Sequence, residues 1–172
     1  MKPTQLAFVA ALVMGAAFSG RALWQTAHPP EPAAAYVSLF ETHCLSRLAT
    51  VQSGGADPHA DLPKNAQRIT RLDAAGLHAI QKRDTCEVRD ATRLMTEAQR
   101  DAVAQAITAL IAQKLPALSE ATAPVPADLA RIFTTDAPED SPNHWGITLT
   151  RSQPASGDTK QMTVTQLTLP RG

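Results

Sequence analysis

The sequence predicts a single α+β domain in which three helices pack on a small, mainly antiparallel sheet of three or four strands, with one disulfide bond. Three observations predict this class. Apolar residues recur every three or four positions in three stretches, as on a buried helix face. Other short segments alternate apolar and polar residues, as half-buried strands do. Two cysteines in a chain of 172 residues can link one helix to the sheet.

The N-terminus resembles an export signal. Lys2 precedes a 15-residue apolar run, residues 6–20, which is too short for a typical membrane span and suits a signal peptide. We expect residues 1–22 to be the signal peptide, residues 23–35 a Pro/Ala-rich spacer, and residues 36–172 the single domain. Two alternatives stay open: an uncleaved membrane anchor over residues 6–24, which Arg21 interrupts, and a buried core helix.

The next elements are predicted as two helices. From about Pro32 to Val51, apolar side chains including Cys44 fall on one helical face, and two glycines follow. A second helix is predicted from near Asp61 to Leu72, with Gly76 as its stop. Residues 77–81 and 86–89 are predicted as a strand hairpin with its turn near residues 83–84.

The third predicted helix covers Glu97 to Leu115, with Thr96 and Gln99 forming a capping box. Residues 129–133 are expected to form a short helical turn. The chain then closes with two strands, residues 144–151 and 161–169. In the last strand the apolar residues change phase, which predicts either a bulge near Gln166 or a strand covered on both faces.

The two cysteines are predicted to form a structural disulfide, Cys44–Cys86. An exported protein meets an oxidising environment, and both residues occupy inward positions of their elements. The alternative is a reactive thiol, but no Cys-x-x-Cys motif is present to lower a thiol pKa.

The sequence indicates no catalytic residue, metal site or cofactor. No nucleotide-binding, serine hydrolase or His-x-x-x-His motif occurs. The candidate surface or ligand residues are His144 and Trp145, at a strand start, and His78. An enzyme would need a concave pocket that brings His78, His144 or His59 together with an acid.

The charge pattern excludes a nucleic-acid binder that works through a strong positive field, because 16 basic residues balance 16 acidic ones. Residues 64–100 are locally basic and residues 120–141 acidic. This pattern is typical of a solvated surface; it also fits contact between the two segments or a patch for an anionic partner.

The motif Phe40-x-x-x-Cys44-Leu45 after a signal peptide, and Cys86-x-Val88 before an alanine-rich helix, resemble small uncharacterised exported proteins of proteobacteria. The resemblance spans the mature chain and implies its fold and a periplasmic or secreted location, with no activity attached. We therefore expect a non-catalytic binding or accessory module of the cell envelope whose partner is a protein or envelope component. The alternatives are a hydrolase-type enzyme with a His/acid site and a membrane-tethered scaffold.

Overall fold

The computed structural model describes residues 31–122, 130–152 and 162–170. The predicted signal peptide, the anchor segment 6–24 and most of the predicted spacer lie outside these residues. The folded unit begins at Pro32.

The first helix, α1, is continuous but changes its winding. It is α-helical over Pro32–Phe40, π-helical over Glu41–Leu45 and α-helical again over Ser46–Gln52. Its buried face follows a strict spacing of four, through Tyr36, Phe40, Cys44 and Leu48. In an α-helix that spacing drifts by about 40° per step. The wider π turn offsets the drift and keeps these side chains on one face.

The second helix, α2, covers Glu97–Lys114 and confirms the sequence prediction. Thr96 accepts a hydrogen bond from the Gln99 N–H, and the Gln99 side chain accepts one from the Thr96 N–H. This reciprocal cap fixes the start of α2. Val103, Ile107 and Ile111 form its buried stripe.

Seven strands form one sheet in which every neighbouring pair is antiparallel. Their order across the sheet is β1-β2-β3-β7-β6-β5-β4. The strands are β1 (Arg68–Leu72), β2 (Leu77–Gln81), β3 (Thr85–Asp90), β4 (Ser119–Ala121), β5 (Ala130–Thr134), β6 (Gly146–Ser152) and β7 (Met162–Thr168).

The expected three helices on three or four strands are therefore wrong. The described residues form two helices and a seven-stranded antiparallel sheet. The segment predicted as the second helix is not helical. Its first part, residues 61–67, forms turns and irregular backbone, and its last part forms the edge strand β1. The predicted helical turn at 129–133 corresponds, over its described residues, to β5. Cross-strand pairing outweighed the local pattern in both segments.

The topology repeats itself. A helix followed by an antiparallel meander, α1-β1-β2-β3, is succeeded by a second helix and meander, α2-β4-β5-β6-β7. The last strands of the two halves, β3 and β7, pair at the centre of the sheet. The two helices pack against each other and share one hydrophobic core with the inward strand residues.

The strand β7 contains no bulge near Gln166, so that alternative is wrong. It pairs without interruption with β3 and β6. The phase change arises because two fully buried threonines, Thr163 and Thr165, occupy the core face ahead of Leu167. The buried Tyr36 hydroxyl donates to the Val88 carbonyl at 2.6 Å and lies 3.0 Å from Thr165 Oγ1. This polar contact explains why the core tolerates the Thr165 hydroxyl.

Candidate functional site

The predicted disulfide is present. Cys44, in the π segment of α1, is bonded to Cys86 of β3, and both residues are fully buried. These are the two cysteines of the chain, so no free thiol remains. The bond is a structural link between α1 and the sheet, and the reactive-thiol alternative is wrong.

A buried arginine lies one turn beyond the disulfide. Arg47 is only 3% exposed, and its guanidinium forks onto the Asp57 carboxylate with N–O distances of 2.8 and 2.7 Å. It also donates to the carbonyls of Lys82, Arg83 and Thr85 in the β2–β3 turn. Arg47 was not among the residues predicted from the sequence. The sequence did contain a signal for it: Arg47 is a charged residue within the apolar stripe of a predicted helix.

His59 lies beside this network but does not form a catalytic pair. Its backbone N–H donates to Asp57 Oδ1 at 3.0 Å. Burial and the Arg47 charge lower the pKa of His59. Burial works to raise the pKa of Asp57, but hydrogen bonds from Arg47 and the His59 N–H bring it below its ordinary value. The Asp57 carboxylate is thus held ionised by structural partners.

A small hollow opens on the sheet face opposite the helices, which we call the outer face. The register places Gly146 between Thr134 of β5 and Thr168 of β7, with Thr148 and Ile132 alongside on the same face. A Cβ at position 146 would collide with the Phe133 carbonyl oxygen, so close backbone approach requires glycine. The depression has a volume of about 270 Å³.

We call this depression the Gly146 hollow. Its lining residues on the outer face and in the β5–β6 loop are Ile132, Thr134, Glu139, His144, Trp145, Gly146, Thr148 and Thr168. Sequence reasoning identified His144 and Trp145 among them. For the rest of the hollow, the sequence offered one signal, a glycine near the start of a predicted strand. The threonines come together only through the register of three strands.

His144 has a defined tautomer. Its Nδ1 lies 2.8 Å from the Ala137 carbonyl oxygen, which can only accept, so Nδ1 carries the proton. In the neutral ring Nε2 is then an acceptor. Glu139 from the same loop also lines the hollow. The rim therefore offers two acceptors, and the three threonines add hydroxyls that both donate and accept.

Trp145 also lines the hollow, whereas His78 lies elsewhere. Trp145 follows His144 but belongs to the hydrophobic core and is 7% exposed. His78 lies on the outer face of β2, opposite Arg71 and Arg89 in register. Two strands, β3 and β7, separate β2 from β6, so His78 is ~14 Å or more from the hollow. The fold thus brings together His144 and an acid, and excludes His78 and His59 from that site.

A second cleft, of about 440 Å³, lies between the C-terminal end of α1 and the β2–β3 turn. Gly54, Gly55, Asp57, Arg83 and Asp84 contribute to its walls. Its Asp57 is already engaged by Arg47. We therefore assign this cleft no ligand.

Within the described ranges, no group of three or more His, Cys, Asp or Glu residues is arranged to hold a metal ion. The same residues contain no helix with the length and apolar character needed to span a membrane. Comparison with family models, with curated proteins and with solved structures gives no match for this chain.

Proposed function

We propose that the chain is an exported, non-catalytic binding module of the cell envelope whose ligand site is the Gly146 hollow. The observation that carries the proposal is the convergence of three threonine hydroxyls, an imidazole acceptor and a carboxylate around a glycine floor. A concave site with a few convergent polar groups is the usual form of a small-molecule site.

The lining favours a small ligand rich in hydrogen-bond donors. Glu139 and His144 Nε2 accept hydrogen bonds, and Glu139 favours a cationic group over an anionic one. The apolar Ile132 contributes a surface for the carbon skeleton. The volume of about 270 Å³ suits a molecule of one sugar ring or smaller. These properties point to hydroxyl- and amine-bearing compounds.

Titration with glucosamine, followed by amide NMR, tests the site. We expect millimolar binding with shifts at Gly146, Thr148 and Thr168. Glu139→Gln should weaken the binding at least threefold, because it removes the charge opposite the ammonium group. Two control probes are matched to it: glucose lacks the ammonium group, and acetate carries the opposite charge. Shifts confined to other residues, or equal binding of acetate, would reject the assignment.

Export is supported by the signal-like segment at residues 1–22 and by the buried Cys44–Cys86 disulfide, which persists in oxidising compartments. The test is the intact mass of protein from the native envelope fraction, alkylated under denaturing conditions with and without reduction. Loss of residues 1–22, with alkylation only after reduction, supports export. A full-length mass supports instead the membrane-tethered scaffold anchored by residues 6–24.

A hydrolase is the second candidate, favoured by one observation. His144 and Glu139 line the same hollow, and the contact of His144 Nδ1–H with the Ala137 carbonyl makes Nε2 the basic nitrogen of the neutral ring. Hydrolysis of small ester or glycoside substrates that is abolished by His144→Gln would establish this function. Binding of glucosamine together with no hydrolysis of the ester and glycoside substrates would support the binding module.

A further inference from the structure

We propose that the free edge of β1 docks an extended acidic segment of a partner protein, which adds as a further strand to the sheet. The Gly146 hollow lies in the other half of the sheet, so this inference stands independently of the proposed ligand site. Three observations carry it: an open strand edge, an exposed apolar side chain on that strand, and a set of basic side chains around it.

The edge is open over five residues. Strand β1 is the first strand of the sheet and pairs with β2 along its full length. Among the described residues, no strand pairs with its other edge. Alternate N–H and C=O groups of an edge strand point away from the sheet and can pair with an added strand. Ile69 is 37% exposed on the outer face of β1, where it can contact one side chain of that strand.

Positive charge surrounds the edge. Strand β1 itself contains Arg68 and Arg71 and no acid, and residues 61–84 contain five Lys or Arg residues against three acids, Asp61, Asp73 and Asp84. The basic residues are Lys64, Arg68, Arg71, Lys82 and Arg83, and all five are exposed. No ion pair joins their side chains to any described residue, in contrast to Arg131, which is paired with Glu120. Opposite charges across paired strands stabilise the pairing, so the partner strand is acidic.

The opposite edge of the sheet lacks these properties. Strand β4 covers only three residues, and the charged residue in it, Glu120, is bound by Arg131 with two N–O distances of 2.7 Å. A short strand is a poor template for strand addition.

Pairing of two copies through β1 is disfavoured by the same charges. With Thr70 opposite its counterpart, each Arg71 would lie opposite Ile69 and diagonal to the other Arg71. Like charges at diagonal positions repel and gain no partner in return. The basic edge therefore selects an acidic strand over a second copy of the chain.

The test uses the unit from Pro32 onward with its disulfide intact, because Pro32–Gly172 forms a compact unit by itself. The probe is the peptide acetyl-Thr-Glu-Val-Glu-Val-Glu-Thr-amide. We expect binding at low salt with amide shifts and slowed hydrogen exchange in residues 68–72. Two control peptides carry backbone N-methyl groups on the valines or on the glutamates. Both keep the charge of the peptide. One of them must lose binding, because strand pairing needs the N–H groups on the peptide edge that faces β1, and one of the two sets of methyl groups blocks that edge.

The matched variants separate local charge from net charge. Arg68→Thr with Arg71→Thr lowers the net charge by two and keeps good strand formers, and should weaken peptide binding about fivefold at low salt. Gln105→Glu with Gln113→Glu makes the same change in net charge at exposed positions of α2 and should alter binding less than twofold.

Four outcomes would overturn the inference. Binding of both N-methylated peptides as tight as that of the unmodified peptide would show that charge alone acts, without strand pairing. Shifts outside residues 68–72 would place the peptide elsewhere. Concentration-dependent dimerisation through β1, or binding of anionic phosphatidylglycerol vesicles with no peptide binding, would assign the edge to a second copy or to a membrane surface.

Discussion

Arg47→Met is the most informative single substitution for stability. Methionine matches the length of the side-chain stem but provides no donor. The change leaves the Asp57 carboxylate without its partner and removes the side-chain donor from three carbonyls of the β2–β3 turn. Removing one member of a buried ion pair costs about 3–5 kcal/mol, because the remaining charge loses its compensation.

That loss is large beside a usual total stability of about 5–15 kcal/mol. For a domain of this size it lowers Tm by about 10–15 °C. Urea unfolding followed by circular dichroism measures it as a fall in midpoint with an unchanged slope. Because the pKa of Asp57 is lowered in the fold, its contribution is complete above the unfolded pKa near 4. It is lost as pH falls through the folded pKa.

Two comparison variants make the result interpretable. Arg47→Lys keeps the charge but cannot fork onto a carboxylate, and should lose an intermediate amount. Asp57→Asn combined with Arg47→Met should cost less than the sum of the single changes, since both break one interaction. A loss below about 1 kcal/mol for Arg47→Met would refute the reasoning, as would full additivity in the double variant.

Three further predictions each concern one feature of the structure and can each be tested by one assay. Tyr36 is the sole tyrosine, and burial raises its pKa above the ordinary value of 10. Phenolate absorbance should therefore appear only as the protein unfolds above pH 10; titration with the fold intact would contradict this. The lowered pKa of His59 means that stability falls as pH drops below about 6.5, and His59→Gln should flatten this dependence in urea unfolding; equal slopes would reject it. Replacing Cys44 and Cys86 together by alanine should cost about 4 kcal/mol under non-reducing conditions, and a loss below about 1 kcal/mol would reject the link as a major constraint.

The helices that the sequence predicted correctly are those with strong local signals. Glu97–Lys114 has a capping box at its start and a continuous apolar stripe. The first helix was identified by its buried face, although the π turn within it was not. The disulfide followed from two inward cysteines in a chain with an export-like N-terminus. Each of these signals lies within one element, so no knowledge of the fold was needed.

The strands that were missed lack such signals. In β1, Ile69 and Leu72 face opposite sides of an edge strand, so their spacing of three resembled a helix. In β5, half-buried Arg131 and Ile132 interrupt the alternation. Both segments are strands because a neighbouring strand supplies their hydrogen bonds, and that neighbour is not encoded locally.

The candidate site was predictable only in part, for a related reason. His144 could be identified as a polar residue before a strand. The Gly146 hollow depends on β5, β6 and β7 aligning so that Thr134 and Thr168 flank one glycine. A shift of one residue would turn these side chains to the other face, so the site exists only once the register is fixed.

The attachments of α1 show why the β1 edge is a suitable template. Tyr36, Cys44 and Arg47 contact β3 and the turn before it at three successive points, by a hydrogen bond, a disulfide and hydrogen bonds from the guanidinium to backbone carbonyls. The first half of the sheet is thereby held to α1 by one covalent bond and several hydrogen bonds. A strand that adds to β1 extends a sheet whose backbone is already ordered, so the ordering cost falls mainly on the incoming segment. The three attachments reach β1 through β2, which pairs with β3 on one side and with β1 along its full length on the other.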